Sequence, residues 1–417
     1  MSVRKTITPA HRYRNNDKAI GVGNAFWDSS ERSGLAGIVA ELSEGVLRTA
    51  AGHEFVNFTC CSYLDLDSHP KVIEGAVAAL GRFGVLDHCI PRSRVQIPAL
   101  LELEASLGEL FGAEVVSAIS AGVASAGLLP LVASGHLGNG VRPLMAFDKN
   151  CHVSLASAKP TCADETEVVS CDHHDVGFIE DMCKQYERVC YVVDGSDSLG
   201  GYAPVLELAG LQDKYGLLVY YDDSHSISAY GERGIGYIRS HCPVLDERTI
   251  TVATLNKAFG TSGAAIMLDG YPKKTLRVIE RFAGALCYSQ PMNTAAVGAS
   301  LASAEIHRTE ELTTLQRRLR GNIELFDTRI KTGQSGTTYP IRIIPMSDET
   351  VIEAGRRVYE AGFYVSPVFF PIVARGTAGL RVMLRAGQTG EQIRGLCAVL
   401  VEAGARQPAG LPQEAAR

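Results

Sequence analysis

Short apolar runs alternate with amphipathic or small-residue stretches between about residues 115 and 270, and this alternation limits the fold more than any other feature. Six of these runs are typical of strands buried on both faces: Val115–Ser120, Arg142–Asp148, Val189–Gly195, Leu217–Asp223, Thr249–Asn256 and Ala264–Leu268. Helix candidates between them include Gly122–Ser134 and Leu206–Tyr215. The alternation predicts an α/β fold in which helices cover both faces of a mostly parallel sheet.

The pattern changes twice after residue 270. A helix-rich stretch extends to about residue 326, and the polar segment 331–338 leads into runs typical of a smaller α+β domain. The predicted elements of this domain are strands at Tyr339–Pro345, Phe363–Phe370 and Leu380–Leu384, and helices at Asp348–Ala361 and Thr389–Ala403. We therefore predict three parts: an N-terminal arm at residues 1–54, a large domain at 55–330 and a small C-terminal domain at 331–417.

Composition argues against several classes of function. A net charge of −6 disfavours nucleic-acid binding, which needs a concentrated basic face. The mildly basic first eighteen residues lack a following apolar segment, so a flexible arm is favoured over a targeting signal, and no apolar run is long enough to span a membrane. The eleven cysteines are scattered without a CxxC pair, which indicates a reducing cytoplasm and no zinc or other metal site.

Lys257 lies between the apolar strand Thr249–Asn256 and the small-residue run 258–263. Apolar and small neighbours disfavour the charged form of an amine, which then becomes a nucleophile toward carbonyl groups. The segment alone leaves two alternatives open: a lysine that forms a Schiff base and an ordinary solvated lysine.

Polar residues follow three of the predicted strands, at 148–152, at 222–225 and at Lys257. Ligands of open α/β sheets collect at these carboxyl ends. Asp222 could keep a heteroaromatic nitrogen protonated, and His225 could reach a phenolic oxygen on the same ring. Pyridoxal phosphate needs both groups and a lysine for its aldehyde, whereas adjacent carboxylates alone are more often a helix cap or a loop.

These residues belong to motifs that occur in one order along the chain: Phe55–Phe58, Tyr63–Pro70, His152–Ser154, Asp194 with Ser198, Asp222–His225, Thr254–Gly260, Gly376–Thr377 and Leu380–Arg381. In this order they resemble the α-oxoamine synthases, a family of fold-type-I pyridoxal-phosphate enzymes. The resemblance extends from about residue 55 to residue 400. It implies a fold-type-I transferase with pyridoxal 5'-phosphate as its cofactor.

The resemblance implies a role for each matched residue around the cofactor ring. Lys257 would bind the aldehyde as a Schiff base and later move protons at the substrate Cα. Asp222 would pair with the pyridine nitrogen, and His225 would bond the phenolic oxygen. His152 would stack on the ring, although a lone histidine is more often a satisfied core residue.

The resemblance also implies anion-binding residues. Thr254 would bind the phosphate together with backbone N–H groups near Gly122 and Val123, at the start of a helix. Ser198 would be a further contact near the ring. Arg381 would take the amino-acid carboxylate through a bidentate fork, although an exposed strand arginine is otherwise unremarkable.

Some positions depart from the family pattern. Val123 and Ala126 stand where an aromatic residue and an asparagine are usual, and the segment 87–94 replaces a Gly/Ser-rich loop. The Cys-x-Pro-Arg within that segment resembles a serine palmitoyltransferase subunit. Ser224, where alanine is commoner, is similar to synthases of amino-ketone signalling molecules. These changes leave the cofactor chemistry intact and leave both substrates open.

The resemblance implies a decarboxylating Claisen condensation of an amino acid with an acyl thioester, which gives an α-amino ketone. The acyl donor is either acyl-CoA or an acyl-carrier protein. The alternatives are another fold-type-I activity such as an aminotransferase, and a non-catalytic partner subunit. A homodimer is expected, in which Ser289 reaches the neighbouring subunit's phosphate, and the alternative for Ser289 is a cap of the helix that begins near Asn293.

Overall fold

The computed structural model describes residues 12–43, 45–86 and 93–406. The described chain divides into two compact units. The first unit contains the residues up to Thr59 together with Ile344–Val382 and Ala398–Arg406, and the second contains Cys60–Ile343 with Met383–Cys397. Most of the segment that replaces the Gly/Ser-rich loop, residues 87–92, lies outside the described residues.

The helices are α1 Asn16–Arg32, α2 Pro70–Phe83, α3 Pro98–Phe111, α4 Ala121–Ala133, α5 Val153–Ala156, α6 Lys159–Ala163, α7 Val176–Gln185, α8 Val205–Tyr215, α9 Gly236–His241, α10 Lys273–Phe282, α11 Gly284–Tyr288, α12 Thr294–His307, α13 Glu310–Asp327, α14 Val351–Glu360 and α15 Gly390–Glu402. The strands are β1 Ala40–Ser43, β2 Val46–Thr49, β3 Glu54–Asn57, β4 Glu114–Ala118, β5 Leu144–Asp148, β6 Val168–Cys171, β7 Val189–Asp194, β8 Leu218–Asp222, β9 Thr249–Thr254, β10 Ala264–Leu268, β11 Ile341–Pro345, β12 Phe363–Tyr364, β13 Ser366–Val368 and β14 Gly379–Met383.

The second unit is built on a seven-stranded sheet with the order β4-β10-β9-β8-β7-β5-β6. The strands from β9 to β6 in this order run parallel to their neighbours, whereas β10 pairs antiparallel with both β9 and β4. The six strands predicted from the sequence all lie in this sheet, so the predicted mostly parallel sheet is confirmed. The edge strand β6 was not predicted, because only one of its four residues is fully buried and so short a segment carries too little apolar pattern.

Helices cover both faces of the sheet, because the side chains of its strands alternate between two cores. Val192 of β7 packs in one core with helix α4, while its neighbour Val193 packs in the other with α8. The central strands are buried along their whole length. Since the parallel strands all end at the same edge, their last residues Asp148, Asp194, Asp222 and Thr254 lie along one rim of the sheet.

The first unit joins the N-terminal segment to the C-terminal part of the chain. Strand β12 pairs in parallel with β3, which extends the β1-β2-β3 antiparallel sheet. Helix α1 begins at Asn16, inside the segment predicted to be a flexible arm, because Asn15 caps it and Phe26 stacks on Phe369. No observation tests the predicted boundaries at residues 54 and 330, which stay predictions.

The predicted strand Phe363–Phe370 is two strands in the structure. Strand β12 pairs with β3, whereas β13 pairs antiparallel with β14 in a second sheet of order β11-β14-β13. Pro367 has no N–H to donate to a ladder, so it fits the short β13 rather than one long strand.

Candidate active site

The carboxyl ends of β7 and β8 place two aspartates next to each other. Asp194 and Asp222 pair in the parallel register, and each residue is only 5% exposed. Burial raises the pKa of Asp194 well above its ordinary value, and the negative charge of Asp222 raises this pKa further. The positive charge of Lys257 acts in the opposite direction, so its amine lies within electrostatic reach of the pair. The rim therefore combines two buried carboxylates with an amine.

Ser224 connects the end of β8 to the end of β9. Its backbone N–H donates to Asp222 Oδ1 at 3.1 Å, and its hydroxyl donates to the same oxygen. The Ser224 hydroxyl also accepts from the backbone N–H of Thr254 at 2.8 Å. Alanine could make neither side-chain contact. The serine that the sequence marked as a departure thus fixes the carboxylate of Asp222 relative to the strand that leads to Lys257.

His225 is held on two sides. Its backbone N–H donates to Ser196 Oγ at 3.2 Å, and its ring Nδ1 lies 2.7 Å from the hydroxyl of Tyr63. Tyr63 is fully buried, so the hydrogen bond fixes the orientation of the imidazole. The sequence placed Tyr63 in a motif but gave it no role, because 162 residues separate the two side chains along the chain.

His152 caps the short helix α5 and is tied to the acidic pair through its backbone. Its N–H donates to both carboxylate oxygens of Asp194, at 3.1 and 3.0 Å. Its ring Nδ1 accepts from the backbone N–H of Ser154 at 3.2 Å, and the side chain is exposed. A Cβ added to Gly122 would lie 3.9 Å from Ser154 Cβ, so the start of α4 adjoins the start of α5. His152 is therefore not a core histidine.

The start of α4 and the end of β9 are the predicted phosphate-binding elements. Ser120 caps α4 by accepting from the N–H of Val123 at 3.2 Å, and Gly122 carries no side chain that would block an anion. The Thr254 hydroxyl donates to Asn256 Oδ1 at 2.7 Å. This hydroxyl would have to turn away from Asn256 to bind a phosphate.

The loop that carries Lys257 is closed by its own backbone. Leu255 N–H donates to Gly263 O at 2.8 Å, Thr261 N–H donates to Leu255 O at 2.9 Å, and Gly260 N–H donates to Lys257 O at 2.9 Å. Gly260 has a φ of +78°, and a Cβ there would lie 2.5 Å from the backbone of Leu66. Lys257 is half-buried on a rigid turn, as a desolvated nucleophile requires.

The remaining predicted residues lie on separate elements. Ser198 is half-buried on the loop after β7. Arg381 is half-buried on β14 of the first unit, where it pairs with Ser366 of β13. Ser289 follows α11.

Ser289 does not cap the helix that follows it, so that alternative was wrong. Asn293 caps α12, because its Oδ1 accepts from the N–H of Ala296 at 2.8 Å. Within the described residues, the hydroxyl of Ser289 is buried and makes no hydrogen bond. It faces a small cavity lined in part by Leu286 and Pro291. A buried hydroxyl without a partner is rare, and this one is available to a ligand or to a second chain.

A cluster of Asp148, His173 and His174 brings potential metal ligands within 4.8 Å of one another. The Asp148 carboxylate already accepts from the backbone N–H of Asn150 and His174, from His173 Nδ1 and from the hydroxyl of Tyr191, at 2.7 to 3.1 Å. Burial raises the pKa of Asp148, but these hydrogen bonds outweigh it and lower the pKa to about 2. The carboxylate is saturated by protein donors, so the cluster supports the loops at this end of the sheet.

Asp223, next to Asp222, points into the interior. It is completely buried, and its Oδ2 accepts from the backbone N–H of Ile238 at 3.0 Å. Burial raises the pKa of Asp223 to about 7. Between about pH 4 and pH 7 the unfolded chain loses this proton while the folded chain keeps it. The free energy of unfolding should therefore fall as the pH rises through this window.

Asp223→Asn should remove the part of the pH dependence of stability that comes from Asp223. Between pH 4 and pH 7, the difference in unfolding free energy between variant and wild type should shift by about 4 kcal/mol in favour of the variant. Urea denaturation at a series of pH values measures the shift, with the exposed Asp164→Asn as the control. Parallel stability curves for wild type and Asp223→Asn would show that Asp223 does not titrate in this way.

Comparison with known proteins finds one family model and several similar enzymes. The chain matches the model of aminotransferase class I and II over residues 199–400. It is 29% identical to 8-amino-7-oxononanoate synthase of Alkaliphilus metalliredigens, over 82% of this chain and 86% of that protein, and 27% identical to the Beijerinckia indica enzyme, over 86% and 90%. The motifs around Lys257 and Asp222 lie within these spans. These similarities support the α-oxoamine synthase family that the motif order indicated.

Solved structures of serine palmitoyltransferase and of 8-amino-7-oxononanoate synthase share the fold. A serine palmitoyltransferase from S. paucimobilis, solved with PLP and myriocin bound, superimposes with a TM-score of 0.81 and 19% identity, over 94% of this chain and 98% of that one. The 8-amino-7-oxononanoate synthase of Francisella tularensis gives 0.68 at 19% identity, over 84% and 97%. The predicted fold class is confirmed. The chain is a pyridoxal-phosphate-dependent acyltransferase.

The membrane-span prediction concerns the helices at residues 12–43, 45–86 and 93–406. In that part of the chain, every helix is too short or too polar to cross a bilayer.

Proposed function

We propose that this acyltransferase condenses an amino acid with an acyl thioester and releases CO2 and a free thiol, so that the product is an α-amino ketone. The observation that carries the proposal is the rim of the sheet in the second unit. There, Ser224 bonds Asp222 and the backbone of Thr254, three residues before Lys257, and the backbone of His152 bonds Asp194. The charge of Lys257 acts on Asp194 as well.

Three features of the second unit fit pyridoxal phosphate. The acidic pair of Asp194 and Asp222 can balance a protonated ring nitrogen, and Lys257 lies within reach of that pair. His225 is held by Tyr63 in one orientation, as a ligand to a phenolic oxygen needs to be. When bound, the cofactor supplies an electron sink for a carbanion at the substrate Cα.

The protein's own part in the reaction follows from these positions. Lys257 would anchor the aldehyde and then take the proton from the substrate Cα with its amine. Asp222 would hold the proton on the ring nitrogen, because a buried carboxylate stabilises the cation beside it. His152 would cover the face of the ring and orient it. The α4 start and Thr254 would hold the phosphate, with Ser198 as a further contact near the ring.

Arg381 is assigned the amino-acid carboxylate by its position in the family motif. Its planar guanidinium can hold a carboxylate through two parallel hydrogen bonds. The amino acid, the acyl chain and the carrier of the acyl group, which is CoA or an acyl-carrier protein, are not fixed by these residues. The predicted cytoplasmic location also stays a prediction.

An aminotransferase is the second candidate, because the matching family model describes class I and II aminotransferases. Amino acids labelled with 13C in the carboxyl group separate the two reactions. We expect labelled CO2 and free thiol in equal amounts, together with the mass of an amino ketone, when acyl-CoA or acyl-carrier protein is supplied. An aminotransferase would retain the label in a 2-oxo acid and release no thiol.

The same assay addresses the third alternative, a non-catalytic partner subunit. The chain carries Lys257, Asp222, His152 and His225 together, which a silent subunit does not need. Amino ketone formed by the purified chain alone would exclude a silent role. Lys257→Ala should lower the signal by about 10²- to 10⁴-fold and serves as the control for contaminating activity.

We also propose that the protein is a homodimer in which Ser289 contacts the phosphate bound to the neighbouring subunit. The buried hydroxyl without a partner supports this, and so does an apolar stripe on α2. Ile73, Val77 and Leu80 are 49%, 62% and 38% exposed and recur at the spacing of one helix face. A second copy of the chain would bury this stripe and satisfy Ser289.

Light scattering on dilute holoenzyme should give twice the chain mass of 44.7 kDa. Val77→Lys should shift the protein to a monomer that loses its cofactor, because a charge would be buried in the interface. Leu206→Lys is the matched control, since Leu206 is equally exposed on α8. A wild-type monomer that keeps its cofactor and its activity would contradict the proposed homodimer.

A further inference from the structure

A neutral histidine is buried at the end of helix α12, outside the residues assigned above. His307 is 1% exposed, and its Nδ1–H donates to the carbonyl oxygen of Ser303 at 2.7 Å. Its Nε2 lies 2.8 Å from the hydroxyl of Ser228, which donates to it. Burial lowers the pKa of His307 to about 4, so the ring stays neutral near pH 7. Both ring nitrogens are thus used by the protein itself.

One side of this histidine holds the loop of Lys257. The His307 ring stacks on Phe259, two residues after Lys257, with 4.6 Å between the ring centroids. Ser303 Oγ, one turn earlier on α12, donates to the carbonyl oxygen of Phe259 at 2.7 Å. Helix α12 therefore contacts this loop through the His307 ring and the Ser303 hydroxyl.

The other side holds the loop that follows Asp222 and His225. Ser228 has a φ of +68°, a left-handed conformation that is uncommon for residues other than glycine, asparagine and aspartate. Its hydroxyl bonds His307, and its carbonyl oxygen accepts from Gln316 Nε2 at 2.8 Å. A Cβ added to Gly234 would lie 2.9 Å from the His307 ring, so the loop approaches closely only because that residue is glycine.

We propose that His307 is a positioning residue that sets the placement of Lys257 relative to Asp222 and His225. The two loops follow different strands of the sheet. The neutral ring of His307 accepts a hydrogen bond from Ser228 in the loop after Asp222 and stacks on Phe259 in the loop of Lys257. A displacement of about 1 Å between reacting groups can slow a reaction about 100-fold. The inference rests on the proposed roles of Lys257, Asp222 and His225, and it adds a residue that touches none of the reacting atoms.

The test compares His307→Leu with a matched control, Gln212→Leu. Gln212 is also completely buried, and its Nε2 donates to Thr249 Oγ1 and to Arg248 O. Thr249 starts the strand β9 whose other end leads to Lys257, so the control loses equivalent bonds at the far end of the same strand. A purely structural role predicts similar effects in both variants.

Two measurements separate positioning from stability. In His307→Leu without cofactor, amide hydrogen exchange should speed up in peptides 226–234 and 255–261, and in Gln212→Leu it should not. With cofactor and amino acid, kcat for Cα–H exchange in deuterated water should fall about 10- to 100-fold in His307→Leu while KM changes little. Unchanged exchange in both peptides, or equal losses of kcat in the control, would overturn the proposal.

Two milder variants, Ser303→Ala and Ser228→Ala, test the same proposal if His307→Leu does not fold. Ser303→Ala should loosen only peptide 255–261, and Ser228→Ala should loosen only peptide 226–234, with lower kcat in each. Wild-type turnover in both variants would overturn the proposal as well. Borohydride labelling of the wild-type chain shows separately whether Lys257 holds the cofactor. Labelled Lys257 with wild-type kcat in these variants would reject only the role of His307.

Discussion

Lys257→Ala should reduce amino-ketone formation by about 10²- to 10⁴-fold, the range that a positioned proton-transfer group contributes to a reaction. The amine of Lys257 lies within electrostatic reach of the buried carboxylate of Asp194, on a turn closed by its own backbone bonds. Alanine would leave that turn intact and remove both the anchor and the base. Product formation under saturating substrates, followed by mass spectrometry, measures the loss.

The matched control is Lys274→Ala, which removes an exposed lysine from helix α10. Its turnover should equal that of the wild type. The fold of the Lys257 variant should also persist, because Lys257 is half-buried and the loop is held by backbone bonds. Turnover of Lys257→Ala within a few-fold of wild type would contradict the assignment of the nucleophile and base.

Asp222→Asn should slow carbanion formation by roughly 30- to 1000-fold while the cofactor still binds. A charge-assisted contact in a dry site is worth on the order of 2–4 kcal/mol, and the amide cannot supply the counter-charge for a protonated ring. Asn can keep the hydrogen bonds that Ser224 donates to Asp222 Oδ1, so the end of β8 should keep its geometry. Exchange of the substrate Cα–H in deuterated water isolates this step.

Asp223→Asn is the natural comparison, because it changes the adjacent carboxylate. Asp223 faces the interior and bonds the N–H of Ile238, so this variant should change the pH dependence of stability and leave the exchange rate near wild type. Near-wild-type exchange by Asp222→Asn, with a normal cofactor spectrum, would count decisively against its pairing with the ring. Slow exchange in Asp223→Asn with normal exchange in Asp222→Asn would show that Asp223, and not Asp222, contacts the ring.

The sheet could be predicted from the sequence because its strands are buried on both faces. A continuous apolar run such as 189–194 can be identified as a strand without knowing which strands it pairs with. The bounds of the six predicted strands match those observed within about two residues. The edge strand Val168–Cys171 was missed, since an edge strand carries a weaker apolar signal. The split at Val365 was also missed, because it depends on which distant strands the two halves pair with.

The candidate site could be predicted only where its residues lie at strand ends in recognisable motifs. Lys257 and Asp222 are of this kind. Tyr63 and Ser224 gain their roles from hydrogen bonds that become visible when the chain is folded, across 162 residues in the first case and 30 in the second. The buried His307 gave no signal at all, because two of its three partners, Ser228 and Phe259, lie on loops far from it along the chain.

Borohydride reduction of the purified holoenzyme tests the central claim most directly, because it fixes the cofactor to the lysine that holds it. The claim is that Lys257, at the rim of the sheet beside Asp194 and Asp222, carries pyridoxal phosphate. Peptide mass spectrometry should find the added pyridoxyl mass on the peptide that contains Lys257. A pyridoxyl group on any other lysine, or none on a protein that still makes amino ketone, would contradict the claim.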